Sequence, residues 1–310
     1  MPLWDAEIEG LRDEIRAEVA MLLELYPTST GEFDAAALER TRAMFLAELS
    51  NDAVDCFIDG PGGQIRLRTF VPDDAQGVML NIHGGAWVMG TPQMNDITNS
   101  VLSNELGLAV VSVDYRLAPE SPYPAQNDDC EAAALWLLEH AESEFGSSRL
   151  LISGESAGAH LAAVTLLRVR DRHDAIDRFL GANLVFGVFD LAASPSKTGI
   201  GAGPDILDPN TMDRAIEWFL PGMSAEEMRA PDVSPIYANL SGMPPALFTA
   251  GTADHLVDDT ILMAARWELF GNRAELLLYP EAPHGCTFLP SVSGHYTPRM
   301  LDFLRTCLKD

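Results

Sequence analysis

The chain is short of positive charge. Of its 310 residues, 46 are Asp or Glu and 20 are Lys or Arg, giving a formal net charge of −26. Lysine is almost missing, with Lys197 and Lys309 the only two, so the remaining basic residues are arginines. A chain this acidic is repelled by phosphate backbones and anionic bilayers, which argues against nucleic acid and membrane surfaces as partners and favours solubility. Either salt adaptation or a GC-rich source would account for the bias. Cysteine is scarce as well: Cys56, Cys130, Cys286 and Cys307 follow neither a metal-ligand nor a paired spacing, so reduced thiols are expected and no metal site is predicted. Long apolar runs are absent, and the opening Met1-Pro2-Leu3-Trp4-Asp5 has neither the basic start nor the apolar stretch of a secretion signal. The expectation is a cytoplasmic protein.

What the chain does contain is a core. Hydrophobic residues make up 47% of it, enough at this length for one large α/β domain. Apolar residues at helical spacing predict a helix over Asp5 to Leu25, stopped by Pro27, and a second over Phe33 to Leu49. Ala53–Asp59 and Gln64–Val71, joined by Gly60-Pro61-Gly62-Gly63, read as a hairpin at an exposed edge. Short apolar runs then follow at Val78–Ile82, Ala109–Val113, Leu150–Ser153, Ala182–Phe186, Ala246–Thr249 and Leu276–Tyr279, with helical patterns at Gln126–Glu144, Ala157–Arg170, Leu256–Phe270 and Gly294–Leu308. Continuous apolar strands alternating with helices predict a mostly parallel eight-stranded sheet covered on both faces. Residues 51–310 would form this catalytic domain, with residues 1–50 contributing to a cap. An insertion at about 190–235, holding a short amphipathic piece over Asp213–Leu220, is too long for a plain connection and is expected to complete that cap.

One stretch organises the rest. Leu151-Ile152-Ser153 is an apolar strand that stops at Gly154-Glu155-Ser156-Ala157-Gly158, and an alanine-rich helical segment follows at once. A serine on so sharp a strand-to-helix turn needs small neighbours, which the two glycines supply, and it would stand exposed above the strand end as a nucleophile. The N–H of Ala157, at the helix start, would face a developing oxyanion. Upstream, the strand Val78–Ile82 ends in His83-Gly84-Gly85-Ala86-Trp87, where two glycines let backbone N–H groups turn outward as further donors.

These motifs resemble the hormone-sensitive-lipase-like branch of the α/β-hydrolase fold, marked by His-Gly-Gly-Gly and Gly-Asp-Ser-Ala-Gly. Asp114-Tyr115-Arg116-Leu117-Ala118-Pro119-Glu120 and Tyr123-Pro124-Ala125 are similar to further family stretches, and the likeness runs from about Val78 to the C-terminus. It implies an oxyanion hole from the N–H groups of Gly84, Gly85 and Ala157, with Ala86 departing from the usual third glycine. It implies the chain order serine, acid, histidine, which Ser156, Asp254 and His284 fill, each just past a strand end. Asp258, a helical turn beyond Asp254, is the alternative acid. The implied activity is hydrolysis of short- to medium-chain carboxylic esters through an acyl-enzyme, without a metal or organic cofactor and with a possible homodimer through the last strand and helix. An amidase, lactonase or deacetylase could use the same groups; a non-hydrolytic receptor on this scaffold would lack the histidine. Trp87, Trp218 and Phe288, with Met94 and Phe219, are candidates to line a substrate pocket. His83 and His160 read as structural, Glu155 as architecture under the loop, and Arg116 with Glu120 as a salt link.

Overall fold

The structure, a computed structural model, describes residues 4–25, 33–44, 52–196 and 209–309. Its eight strands are β1 (Val54–Gly60), β2 (Gly63–Phe70), β3 (Gly77–Ile82), β4 (Leu108–Val113), β5 (Leu150–Glu155), β6 (Phe179–Val185), β7 (Ala246–Gly251) and β8 (Ala274–Tyr279). They form one sheet in the order β1-β2-β4-β3-β5-β6-β7-β8. The β1–β2 and β2–β4 pairs are antiparallel, and every pair from β4 to β8 is parallel. This is the mostly parallel sheet expected, with the hairpin at its edge.

The strand sequences explain the two covered faces. Val78, Leu80 and Ile82 of β3 project into one cluster, together with residues of α5 (Ala125–Phe145), α6 (Ala157–His173) and α8 (Val257–Leu269). Met79 of β3 and Leu151 of β5 project the other way, onto α4 (Asp96–Leu106) and α9 (Pro290–Cys307). Continuous apolar strands are the consequence of burial on both sides. The N-terminal region belongs to the same body: α1 (Ala6–Gly10) and α2 (Arg12–Leu25) add Ile8, Ile15 and Val19 to the second cluster, while Leu38 of α3 (Ala35–Met44) joins the first.

Two differences from the expected elements have physical reasons. The first predicted helix is broken at Leu11, next to Gly10, a weak helix former, and Asp5 caps the short α1 by accepting the Ile8 N–H at 2.9 Å. The second predicted helix is present over Ala35–Met44, and the rest of its predicted span lies outside the described residues. Helix α4 has no counterpart among the expected elements. Its sequence, Asp-Ile-Thr-Asn-Ser-Val-Leu-Ser-Asn-Glu-Leu, is rich in residues that compete with helical hydrogen bonds, and its buried face mixes Asp96, Asn99 and Ser103 with Leu102 and Leu106. Within the insertion after β6, α7 (Pro209–Phe219) buries Met212, Ala215, Ile216 and Phe219. Its Trp218 ring lies 5.7 Å from that of Phe33, just ahead of α3, so the insertion and the N-terminal region touch.

Candidate active site

Strand β5 ends at Glu155 and α6 begins at Ala157, leaving Ser156 alone on the corner with φ 54° and ψ −121°. Such a conformation costs on the order of 1–3 kcal/mol and persists only where the surroundings hold it. They do: the Ser156 N–H donates to Val185 O of β6 at 2.9 Å. A Cβ on Gly154 would lie 2.3 Å from Gly158 O, and one on Gly158 only 2.0 Å from Ile82 O. Both glycines are therefore demanded by the closeness of β5, α6 and the end of β3.

The loops after β7 and β8 bring the other two side chains to this corner. His284 Nε2 lies 3.0 Å from Ser156 Oγ, and His284 Nδ1 lies 2.9 Å from Asp254 Oδ2. A carboxylate only accepts, so Nδ1 carries the proton and Nε2 is left free to accept from the serine hydroxyl. Asp254 is fully buried, and its other oxygen accepts the Leu256 N–H at 2.8 Å. Asp258, the alternative acid, accepts the Ser196 N–H at 2.9 Å and makes no such contact with His284. The edge of Phe186, itself at φ 36°, packs on the imidazole with ring centres 4.8 Å apart.

The loop after β3 runs beside the nucleophile: a Cβ on Gly84 would lie 3.5 Å from that of Ser156. Gly85 has φ 117°, and a Cβ there would fall 2.1 Å from Met89 O; Ala86 and Trp87 also have positive φ, at 50° and 61°. His83 braces the loop, as expected. Its Nδ1–H donates to Gly84 O at 2.7 Å, its ring stacks on Tyr115 at 4.2 Å, and Tyr115 donates to His83 O at 2.9 Å. Complete burial holds this imidazole at about 4, neutral at ordinary pH. Glu155 faces the same loop. Burial raises its carboxyl, and the neighbouring Asn95, His284 and Gly84 oppose that shift. The Glu155 side chain lies against Gly84, where an added Cβ would come within 3.4 Å of its Cγ.

Several expected pocket residues are placed otherwise. Trp87 is fully buried: it stacks on Phe219 with ring centres 4.7 Å apart and donates its Nε1–H to His160 Nδ1 at 3.0 Å, so it braces α7 against α6 instead of facing a ligand. Trp218 is half-buried against Phe33, with the Arg214 guanidinium 5.1 Å over its ring. Phe288 alone of the three is exposed, at 69%, close to His284 in sequence. It edges a cavity of about 80 Å³ beside the end of β5, where Asn81, Asn95, Glu155, Asn183 and Tyr296 stand among apolar residues such as Val185 and Met300. Asn81 interrupts the apolar run of β3 and Asn183 that of β6, the sequence signals that could have announced these polar groups. The expected Arg116–Glu120 link is absent: Arg116 binds Asp129 at 2.8 and 2.9 Å, and Glu120 binds Arg42 of α3 at 2.9 Å.

Among the described residues no group of His, Cys, Asp or Glu gathers as a metal site, and no helix is long and apolar enough to cross a membrane. The model of the α/β-hydrolase fold family matches residues 79–288. Carboxylesterase NlhH of Mycobacterium tuberculosis is 33% identical over 296 residues, covering 88% of this chain and 89% of its own. An acetyl esterase of Salmonella schwarzengrund is 26% identical over 262 residues, with 82% and 77% covered. Among solved structures, a bacterial heroin esterase is 29% identical with a TM-score of 0.83, covering 95% of this chain and 98% of its own. A hormone-sensitive lipase from a metagenome library is 25% identical with a TM-score of 0.76, covering 96% and 97%. The chain belongs to the α/β-hydrolase family. Within that class it falls in the hormone-sensitive-lipase-like branch, as its motifs implied.

Proposed function

We propose that the protein is a serine carboxylesterase acting on short- to medium-chain esters, with Ser156 as nucleophile, His284 as base and Asp254 as its orienting carboxylate. The observation that carries this reading is the unbroken relay from Asp254 Oδ2 through His284 to Ser156 Oγ, at 2.9 and 3.0 Å. His284 Nε2 takes the hydroxyl proton as Oγ attacks the ester carbonyl, and Asp254 stabilises the imidazolium that forms. The tetrahedral oxyanion is bound by the N–H groups of Ala157 and Gly85. The third donor is the Gly84 N–H, as the family motif implies. Each such donor contributes roughly 3–4 kcal/mol to the transition state. His284 then protonates the departing alcohol, and water, deprotonated by the same imidazole, releases the acid from Ser156. A relay within hydrogen-bonding reach also speaks against a receptor role, which has no use for a base at the serine.

The names of the relatives, carboxylesterase and acetyl esterase, support ester hydrolysis and small acyl groups. Helix α7 and the stretch leading into α3, meeting through Trp218 and Phe33, would form the cap that limits acyl length. The test is hydrolysis of p-nitrophenyl esters of increasing chain length by the wild type, Ser156→Ala and His284→Ala. The expected result is turnover falling off at long chains, and a loss of kcat of roughly 10³-fold or more in either variant with the fold retained. Wild-type-like turnover by Ser156→Ala would overturn the assignment.

A further inference from the structure

The segment ahead of the sheet does more than cover it. His284 lies on the loop between β8 and α9, and α2 binds the chain on both sides of it, in the loop and in the first turn of α9. On the near side, three residues before the imidazole, Glu281 accepts from Arg12 Nη1 at 2.9 Å and, in a two-pronged contact, from Arg16 Nε and Nη2, each at 2.9 Å. On the far side, Glu18 accepts the Ser291 N–H at 3.0 Å and the Ser291 hydroxyl at 2.7 Å. Helix α2 is itself anchored, with Ile15 and Val19 buried beneath it. Glu281 is held in a left-handed conformation, φ 62°, with its N–H on Thr252 Oγ1 at 2.8 Å, and the next residue's carbonyl accepts the Ala253 N–H at 3.0 Å. The same short stretch is therefore tied on one side to the turn carrying Asp254 and on the other to α2.

We propose that α2 is a positioning element for the base: Arg12, Arg16 and Glu18 hold the chain on both sides of His284 and so set the reach of the imidazole to Ser156. The proposal rests on the esterase reading for its kinetic consequence. These ion pairs are partly exposed, with side-chain accessibilities of 31% for Arg12, 58% for Arg16 and 38% for Glu281, so they add little to stability. Their effect is on geometry. A displacement of about 1 Å between reacting groups lowers rate by up to about 10²-fold, although it leaves substrate binding nearly unchanged.

The experiment compares wild type with the Arg12→Ala/Arg16→Ala double variant in two readouts. One is kcat and KM on p-nitrophenyl butyrate; the other is the low-field proton resonance of His284 Nδ1–H, assigned by its absence in His284→Gln. Expected are a kcat lower by about tenfold, a KM within about twofold of wild type, and a broadened or shifted resonance. The exchange Arg16→Glu with Glu281→Arg should recover most of the loss that either single change causes. Glu281→Gln, which keeps the shape of the side chain, carries the same readouts if the double variant does not fold. A variant that melts earlier while kcat and the resonance stay at wild-type values overturns the proposal. A wild type inert towards every ester would sink the esterase reading alone, since the resonance still decides whether α2 positions the imidazole.

Discussion

A neutral imidazole is required where His160 lies. Its Nδ1 accepts the Trp87 indole N–H at 3.0 Å, so the ring proton is on Nε2, which donates to Val233 O at 2.8 Å. A second proton would set donor against donor in a fully buried site, and burial brings the group down to about 4 from 6.5. Between those two values the unfolded chain binds the proton and the folded one does not, so this residue's share of stability is lost as pH falls from 6.5 to about 4. Asp259, raised to about 6 by burial, and Glu155, raised for the same reason, act in the opposite sense. The expected outcome is therefore differential: from about pH 7 to about pH 4.5 the urea midpoint of the wild type falls further than that of His160→Gln. Equal slopes would remove His160 as the cause. At this scale the sequence was most legible where chemistry restricts residue type and chain order, as at Ser156, Asp254 and His284. The choice of Asp254 over Asp258 needed the Ser196 N–H that occupies Asp258. Trp87 misled because an aromatic beside a motif does not show which way it faces.

Where β3, β5 and α6 converge, backbone approaches backbone and only glycine fits. In Gly158→Ala the added methyl carbon would stand 2.0 Å from Ile82 O and 2.6 Å from His83 O, neither of which can rotate away. The end of β3 and the start of α6 must part, at a cost of about 1–3 kcal/mol or more, and the oxyanion loop moves with them. A lower melting temperature together with lost ester turnover is the expected result. Gly294, in the interior of α9, provides the contrast: an added Cβ would meet nothing within 4 Å. Gly294→Ala should stabilise by about 0.5–1 kcal/mol, read as a higher melting temperature at unchanged kcat. The same distinction explains which elements could be read in advance. Strands buried on both faces and alanine-rich α6 announce themselves by composition. Helix α4 does not, because its inward face is Asp96, Asn99 and Ser103, and Asp96 is there to meet the buried Arg68 at 2.8 and 2.9 Å across from β2.

Over the whole molecule, charge is the unbalanced quantity. Arginine is used where it can serve several carboxylates at once: buried Arg168 of α6 binds Asp128, Glu131 and Asp232 at 2.6 to 3.0 Å, and Arg172 and His173 share Glu131. These clusters still leave a formal net charge of −26. Added salt then has two opposing effects. It screens the mutual repulsion of the uncompensated carboxylates, which favours the compact state, and it weakens exposed pairs such as Arg16–Glu281. Exposed pairs are worth about 0–1 kcal/mol each at best, and the pairs around Arg168 and Arg68 are buried enough to escape most of the screening. Repulsion among so many like charges therefore outweighs what the exposed pairs lose. The melting temperature should rise between about 0.02 M and about 0.5 M NaCl, over which the Debye length shrinks from roughly 20 Å to roughly 4 Å. Potassium chloride should match it at equal ionic strength, because screening depends on ion charge and concentration and not on which alkali cation is present. A melting temperature that stays flat over this range, or that rises equally in sucrose, would assign the acidic surface to solubility alone.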